Sequence, residues 1–215
     1  MKDLIIIGAS GFGREVAWVA ERINEQNEEW NILGFIDDNP ELKGKTVGGY
    51  PVLGGIDTVA DYSDSYFMCA IGSSKIRSQL IEKVNGILPN VKYAILIDPT
   101  VQISKRVKIG EGTVICAGNI ITVDIEIGKH VIINLDCTVG HDAILHDFVT
   151  LYPSVNVSGI SEVGTCTELG TGAQIIQSKK IGSHTIIGAG AVVVKDIPEK
   201  CTAVGSPAKP IKFHE

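Results

Sequence analysis

The chain has 215 residues, 44% of them hydrophobic and 20% charged, with a formal net charge of −6. That is enough chain for two modest cores, and the acidic balance excludes a general binder of nucleic acid or of an anionic membrane surface. Five cysteines, Cys69, Cys116, Cys137, Cys166 and Cys201, are scattered singly with no C-x-x-C pair, which reads as reduced thiols in a cytoplasmic protein.

The first apolar run, Leu4 to Ile7, is stopped by Gly8, far too soon for a signal peptide or a membrane span. It reads instead as a buried parallel strand. The spacing of Val16, Val19, Ala20 and Ile23 predicts a helix over 13–24. Ile32 to Ile36 is a second strand closed by Asp37-Asp38-Asn39-Pro40, Tyr66 to Ile71 a third, Lys75 to Val84 a second helix, and Tyr93 to Ile97 a last strand. The Gly-rich piece from Gly44 to Ile56 is expected to be a loop or a short hairpin excursion. Alternating strands and helices over residues 1–96 imply a small Rossmann-like α/β domain with a doubly wound parallel sheet. No flexible linker follows it, so the two domains should pack together.

In such a sheet the ligand site lies beyond the carboxyl ends of the strands. Three loops should meet there: Gly8-Ala9-Ser10-Gly11-Phe12-Gly13, Asp37-Asp38, and Gly72-Ser73-Ser74-Lys75-Ile76-Arg77. The first joins a strand to a helix. Its free amides and the helix dipole suit a phosphate, although a plain tight turn needs the same glycines. Its order, G-x-x-G-x-G, is not the dinucleotide fingerprint G-x-G-x-x-G, so an NAD site is not indicated. The acidic pair and Arg77 on neighbouring loops tip the reading toward a bound ligand.

From Ile97 onward the rhythm changes. Every sixth residue from Ile97 to Val193 is Ile, Leu or Val, seventeen times without a slip. With about a third of positions aliphatic, chance would give that run roughly once in a hundred million trials, so the repeat dictates the architecture. A small or β-branched residue follows four places later in most hexads, Asn119 and Lys179 being exceptions. A period of six fits short strands that turn a corner every hexad, three hexads closing one triangular coil of eighteen residues. Glycines directly after the aliphatic position, such as Gly110, Gly128, Gly140 and Gly164, are expected to serve the corners. The repeat stops at Pro198, and the tail, 199–215, should pack as an irregular cap over the open end.

This repeat resembles that of the hexapeptide-repeat acyltransferases. The resemblance implies a left-handed parallel β-helix over 97–198, a homotrimer, and active sites between neighbouring prisms. The front half is similar to the N-terminal domain of bacterial nucleotide-sugar acetyltransferases, related to sialic-acid O-acetyltransferases, that serve surface-glycan biosynthesis. The matching pieces are IIIGASGFGREV, GFIDD, the string from Gly49 to Gly54, and AIGSSKIR. By that resemblance Ser10, Gly11, Phe12, Gly13, Asp37 and Asp38 hold the nucleotide of a sugar nucleotide, the aspartates facing the base. Many relatives that acetylate a 4-amino sugar carry His where Phe12 stands.

His130, His141, His146 and His184 all lie outside the aliphatic column, and a histidine at a prism corner is ordinarily a solvated polar residue. Val139-Gly140-His141-Asp142 resembles the family's catalytic coil, in which the histidine deprotonates the attacking group and the acidic residue orients its ring. An imidazole suits that task near neutral pH. Asp142 is one carbon shorter than the glutamate common in relatives, and a solvated corner residue is the alternative. Gly159, one coil above His141, would by the same resemblance offer its amide to the oxyanion. The resemblance also places acetyl-CoA along the groove between prisms, with Gly159 at its reacting end and Ala189, Gly190, Lys195 and Lys209 toward its adenine end. No metal is expected. The spacing of His141 and His146 resembles γ-class carbonic anhydrases, but their zinc site needs a third histidine where Lys105 stands. The sequence thus points to an acetyl-CoA-dependent acetyltransferase acting on the amino group of a nucleotide-linked amino sugar of the 4-amino-6-deoxy type. O-acetylation of sialic acid or another sugar hydroxyl is one alternative, and a non-catalytic trimeric scaffold another.

Overall fold

The computed structural model describes residues 1–214. Strands β1 (Lys2–Ile7), β2 (Trp30–Ile36), β3 (Thr46–Val47), β4 (Tyr50–Gly54), β5 (Tyr66–Cys69) and β6 (Lys92–Tyr93) form a sheet ordered β3-β4-β2-β1-β5-β6. Every pair except β3–β4 is parallel. Successive side chains of a strand point to opposite faces, so the continuous apolar run of β1 serves two cores. Leu4 and Ile6 pack with Val16, Val19 and Ala20 of helix α1 (Gly11–Gln26), and Ile5 and Ile7 with Ile81 and Val84 of helix α2 (Ser74–Ile87). The 44–56 segment is more than an excursion. It is a hairpin whose second strand, β4, extends the sheet, and Gly34 permits the contact: a Cβ there would lie 2.3 Å from the Pro51 carbonyl oxygen.

The strand expected over 93–97 divides between domains. β6 stays in the sheet, and after Ala94 and Ile95 the chain enters the second domain at β7 (Leu96–Ile97), the first of seventeen two-residue strands recurring every six residues up to Val192–Val193. Each of the first fourteen pairs in parallel with the strand eighteen residues on, as Ile121 does with Val139 and Val139 with Val157. The result is a triangular parallel β-helix with the aliphatic column inside. Corners turn at the residue three places after that column, which takes left-handed backbone: φ is 57° at Asp124, 58° at Asp142 and 60° at Ser178. The glycines directly after the column therefore have a different task from the one expected. They allow coils to stack at backbone contact, since a Cβ on Gly140 would lie 2.5 Å from the Gly159 amide nitrogen.

The three faces differ in what they show outward. The first carries Leu96, Val114, Ile132, Thr150, Glu168 and Ile186; the second Gln102, Ile120, Thr138, Asn156, Gln174 and Val192; the third Lys108, Glu126, Ile144, Glu162 and Lys180. Leu96, Val114 and Ile132 are fully buried because the α1 side of the N-terminal domain sits on them, joining its core to the prism. The third face is a solvated ladder in which Lys108 meets Glu126 at 2.7 Å and Lys180 meets Glu162 at 2.8 Å. The tail is not irregular: Cys201–Val204 continues the first face in parallel, and Lys209–Phe213 folds back antiparallel to it.

Candidate active site

The expected acceptor loops do converge at the carboxyl ends of β1, β2 and β5. Gly8 takes φ 104°, and Gly13 must be glycine, because its Cβ would lie 2.0 Å from the Gly8 carbonyl oxygen. α1 starts immediately afterwards at Gly11. Its Ncap residue Ser10 makes no side-chain capping bond, so the first-turn amides of Gly11, Phe12 and Gly13 stay open to an anion. Ser10 and Gly11 are exposed, Phe12 is half-buried, and Gly13 is buried.

Asp37 holds this turn in place: its carboxylate accepts from the Ala9 amide at 2.8 Å and the Asn39 amide at 2.9 Å. Asp38 accepts from the Ile56 amide at 2.7 Å and leaves its other oxygen 3.6 Å from Lys83. Beside the pair is a cavity of about 240 Å³ with apolar walls from Ile7, Ile36, Ile56, Ile71, Ile76 and Leu80. Leu80 and Lys83 were not singled out from sequence, although their i+4 and i+7 spacing from Ile76 puts all three on one face of a helix.

Arg77 does not belong to this site. Its side chain is fully buried, and its guanidinium donates to the carbonyls of Ile71, Gly72, His130, Phe148 and Val149 and to the Thr150 hydroxyl. Every donor is spent riveting the Gly72 loop to the prism, which corrects the expectation that it meets ligand. Burial pulls it down to about 10, so it is still charged at neutral pH.

The corner that carries His141 lies between the second and third faces. β-Structure ends at Val139 and resumes at Ile144, and left-handed Asp142 turns the chain so that His141 projects outward, its side chain 51% exposed. His141 Nδ1 is 2.7 Å from an Asp142 carboxylate oxygen. A carboxylate there selects the tautomer with hydrogen on Nδ1 and leaves the lone pair on Nε2. Gly159 stacks directly over the ring: a Cβ at that position would lie 2.6 Å from Nε2. Only glycine leaves the nitrogen reachable, and the Gly159 N–H has no acceptor within the described chain. A base and an unused donor therefore share one exposed spot.

The other prism histidines differ. His146 is bound to Glu162 at 3.0 Å, and His184 lines a cavity of about 510 Å³ between the α2 start and the C-terminal hairpin. His130 is buried against Tyr93 and Phe148, and its Nδ1 has no partner. Of the residues assigned to the cofactor, Lys195 stands on the His141–Gly159 corner, three coils above His141, or about 14 Å at a strand spacing near 4.8 Å. Ala189 and Gly190 lie at a different corner, between the first and second faces, and Lys209 on the terminal hairpin. Within one chain the structure does not bring these three groups together.

Residues 3–84 match the PglD N-terminal domain family. The fold is similar over both chains' full extent to PerB of Caulobacter crescentus, solved with CoA and GDP-perosamine, at 31% identity and a TM-score of 0.90, covering 99% of this chain and 98% of that one. It is likewise similar to the acetyltransferase domain of PglB from Neisseria gonorrhoeae, in complex with acetyl coenzyme A, at 32% identity and a TM-score of 0.87, covering 98% and 99%. A curated serine acetyltransferase of Synechococcus elongatus is 32% identical over 81 residues, 34% of this chain. The chain spans 33% and 43% of the length of the first two curated relatives it matches. With the prism, the front domain and full-length likeness agreeing, the chain belongs to the hexapeptide-repeat family of bacterial sugar N-acetyltransferases and is an acyltransferase.

Proposed function

We propose that this protein transfers acetyl from acetyl-CoA to the amino group of a nucleotide-linked 4-amino-6-deoxy sugar, as a cytoplasmic homotrimer. The observation that carries the reading is His141 Nε2 lying free beneath the unused Gly159 amide, with Asp142 on Nδ1. The amine attacks the thioester carbonyl carbon, forming the C–N bond, and its proton passes to Nε2. The Gly159 N–H meets the oxyanion, an interaction worth about 2.7–4 kcal/mol in the transition state. As the C–S bond breaks, the imidazolium returns the proton to the leaving thiolate. Asp142 keeps the ring in the required tautomer and stabilises its charged form.

Relatives support each half. PerB is described with CoA and GDP-perosamine bound, and the same enzyme has been solved with both ligands after replacement of one histidine by asparagine or alanine. The open α1 terminus and the Asp37–Asp38 cavity would take the diphosphate and base of such an acceptor. They stand above the first face, whereas His141 projects from the corner opposite that face, so the site is completed by a second copy. The second face suits that contact: its outward residues are uncharged, and Ile120 is 42% exposed. No helix among the described residues is long and apolar enough to cross a membrane.

One observation favours an O-acetyl acceptor instead. Phe12 offers no hydrogen-bonding side chain beside the open helix terminus, where many amino-sugar enzymes carry histidine. The test is CoA thiol release from acetyl-CoA with UDP-, dTDP- and GDP-linked 4-amino-6-deoxy sugars, wild type beside His141→Ala. Turnover with one amino sugar, cut about a hundredfold or more in the variant, is expected. Turnover only with hydroxyl acceptors moves the reading to O-acetylation, and equal turnover in the variant removes His141 from the mechanism.

A further inference from the structure

The corner residue after Gly159 is Ile160, with φ 60° and 51% exposed. Among the described residues it is the only β-branched one at a non-glycine position with left-handed backbone. The other prism corners with a side chain use residues that tolerate this conformation better, such as Asp124, Asp136, Asp142, Ser154 and Ser178. Phe148 is the other bulky exception, and there the strain is offset because its ring stacks on buried His130 at the domain junction. Ile160, by contrast, is half exposed and outside every buried cluster of the described residues. Strained residues of this kind persist where something other than local stability retains them.

Its position says what that is. Ile160 directly follows the Gly159 amide, donates its own N–H to the His141 carbonyl at 2.8 Å, and stacks one coil above Asp142. A thioester carbonyl held by the Gly159 N–H carries two other substituents, an acyl chain and the sulfur of the pantetheine arm. Both are apolar, whereas the incoming sugar and its nucleotide are polar. Building on the acetyl-transfer reading above, we infer that Ile160 is the acyl-side wall of the site: its side chain packs on the acetyl methyl and the adjoining sulfur, and leaves no room for a longer acyl group. Ile160 is thus a specificity-determining residue.

The test compares wild type, Ile160→Gly and Ile160→Val in three measurements: thermal midpoint, oligomeric mass in solution, and calorimetric Kd for acetyl-CoA and propionyl-CoA. Ile160→Gly relieves the backbone and empties the wall. It should raise Tm by about 2–4 °C, weaken acetyl-CoA about tenfold, and shift the propionyl-to-acetyl preference about tenfold toward propionyl. Ile160→Val keeps the branched apolar side chain and should behave like wild type in all three. A raised Tm with both affinities unchanged overturns the inference. So does weakened binding that comes with loss of the wild-type assembly, which would make Ile160 a contact between copies. Because no sugar acceptor is needed, failure of every acceptor in the turnover assay leaves this result readable. A wild-type protein that binds neither thioester sinks the acetyl-transfer reading and the inference with it.

Discussion

Two histidines eleven residues apart on the same prism show how placement decides what an imidazole does. His141 stands on the corner away from the N-terminal domain, half exposed, with a carboxylate on one nitrogen and an open glycine amide over the other. His130 stands on the corner beside that domain, 4% exposed, wedged between Tyr93 and Phe148, with one nitrogen unpartnered. Gly112 is its counterpart to Gly159: a Cβ there would lie 2.1 Å from His130 Nδ1. Both rings thus lie against a glycine, and only the exposed one can meet a substrate. Burial, with the Arg77 cation beside it, pulls His130 down to about 4, so it is neutral at the pH where the proposed mechanism has His141 carry a proton.

The contrast can be broken at several points. His141→Ala should cost the largest factor, about 10²–10⁴ in kcat by acetyl-CoA turnover, with Tm nearly unchanged because the site is exposed. His130→Asn should do the reverse, sparing kcat while lowering Tm.

Arg77→Met should lower the unfolding free energy by about 3–5 kcal/mol in urea titrations, because it strands the carbonyls that pin the Gly72 loop to the prism. Retention of wild-type stability would show that water replaces those bonds.

His130 also predicts a pH dependence. Its folded value near 4 lies below the ordinary 6.5, so between those pH values the unfolded chain binds the extra proton. Its contribution is therefore complete above pH 6.5 and is lost as pH falls toward 4, amounting to about 3 kcal/mol in all. Arg77, Lys129, Glu111 and Asp147 face it and their charges enter the same balance. Denaturant midpoints between pH 7 and 4 should fall in wild type and flatten in His130→Asn, and parallel curves would refute the assignment.

Smaller effects sit at the edges of the comparison. Asp142→Asn should reduce kcat about tenfold or more by loosening the Nδ1 contact. Lys108→Ala, on the solvated third face, should leave the denaturant midpoint nearly unchanged, since its partner Glu126 is exposed as well. A larger loss would mean that this face is covered in the assembly.

Much of this was legible in the residues. The six-residue column can satisfy only one architecture, and the Gly-rich turn, the acidic pair and His141 each sit where their motif placed them. What the spacing does not reach shares a cause. Arg77, the hairpin strand β4 and the terminal hairpin all take their roles from residues far away in sequence: Arg77 from the carbonyls of His130 and Phe148, β4 from β2, and Cys201–Val204 from the first face. One available signal went unused. Read every eighteenth residue, the outward positions separate into an apolar face, an uncharged face and a charged ladder, and so announce which side the N-terminal domain covers.

By itself, then, the sequence determined the period, the identity of the inward column, and the pairing of His141 with Asp142 and Gly159, because a coil of fixed length turns sequence spacing into vertical stacking. Only the tertiary structure decided which histidine is buried, which cation is spent on carbonyls, and which glycine is required by a neighbour rather than by its own backbone. Those depend on what packs against the prism from outside, and no periodicity within the repeat encodes it.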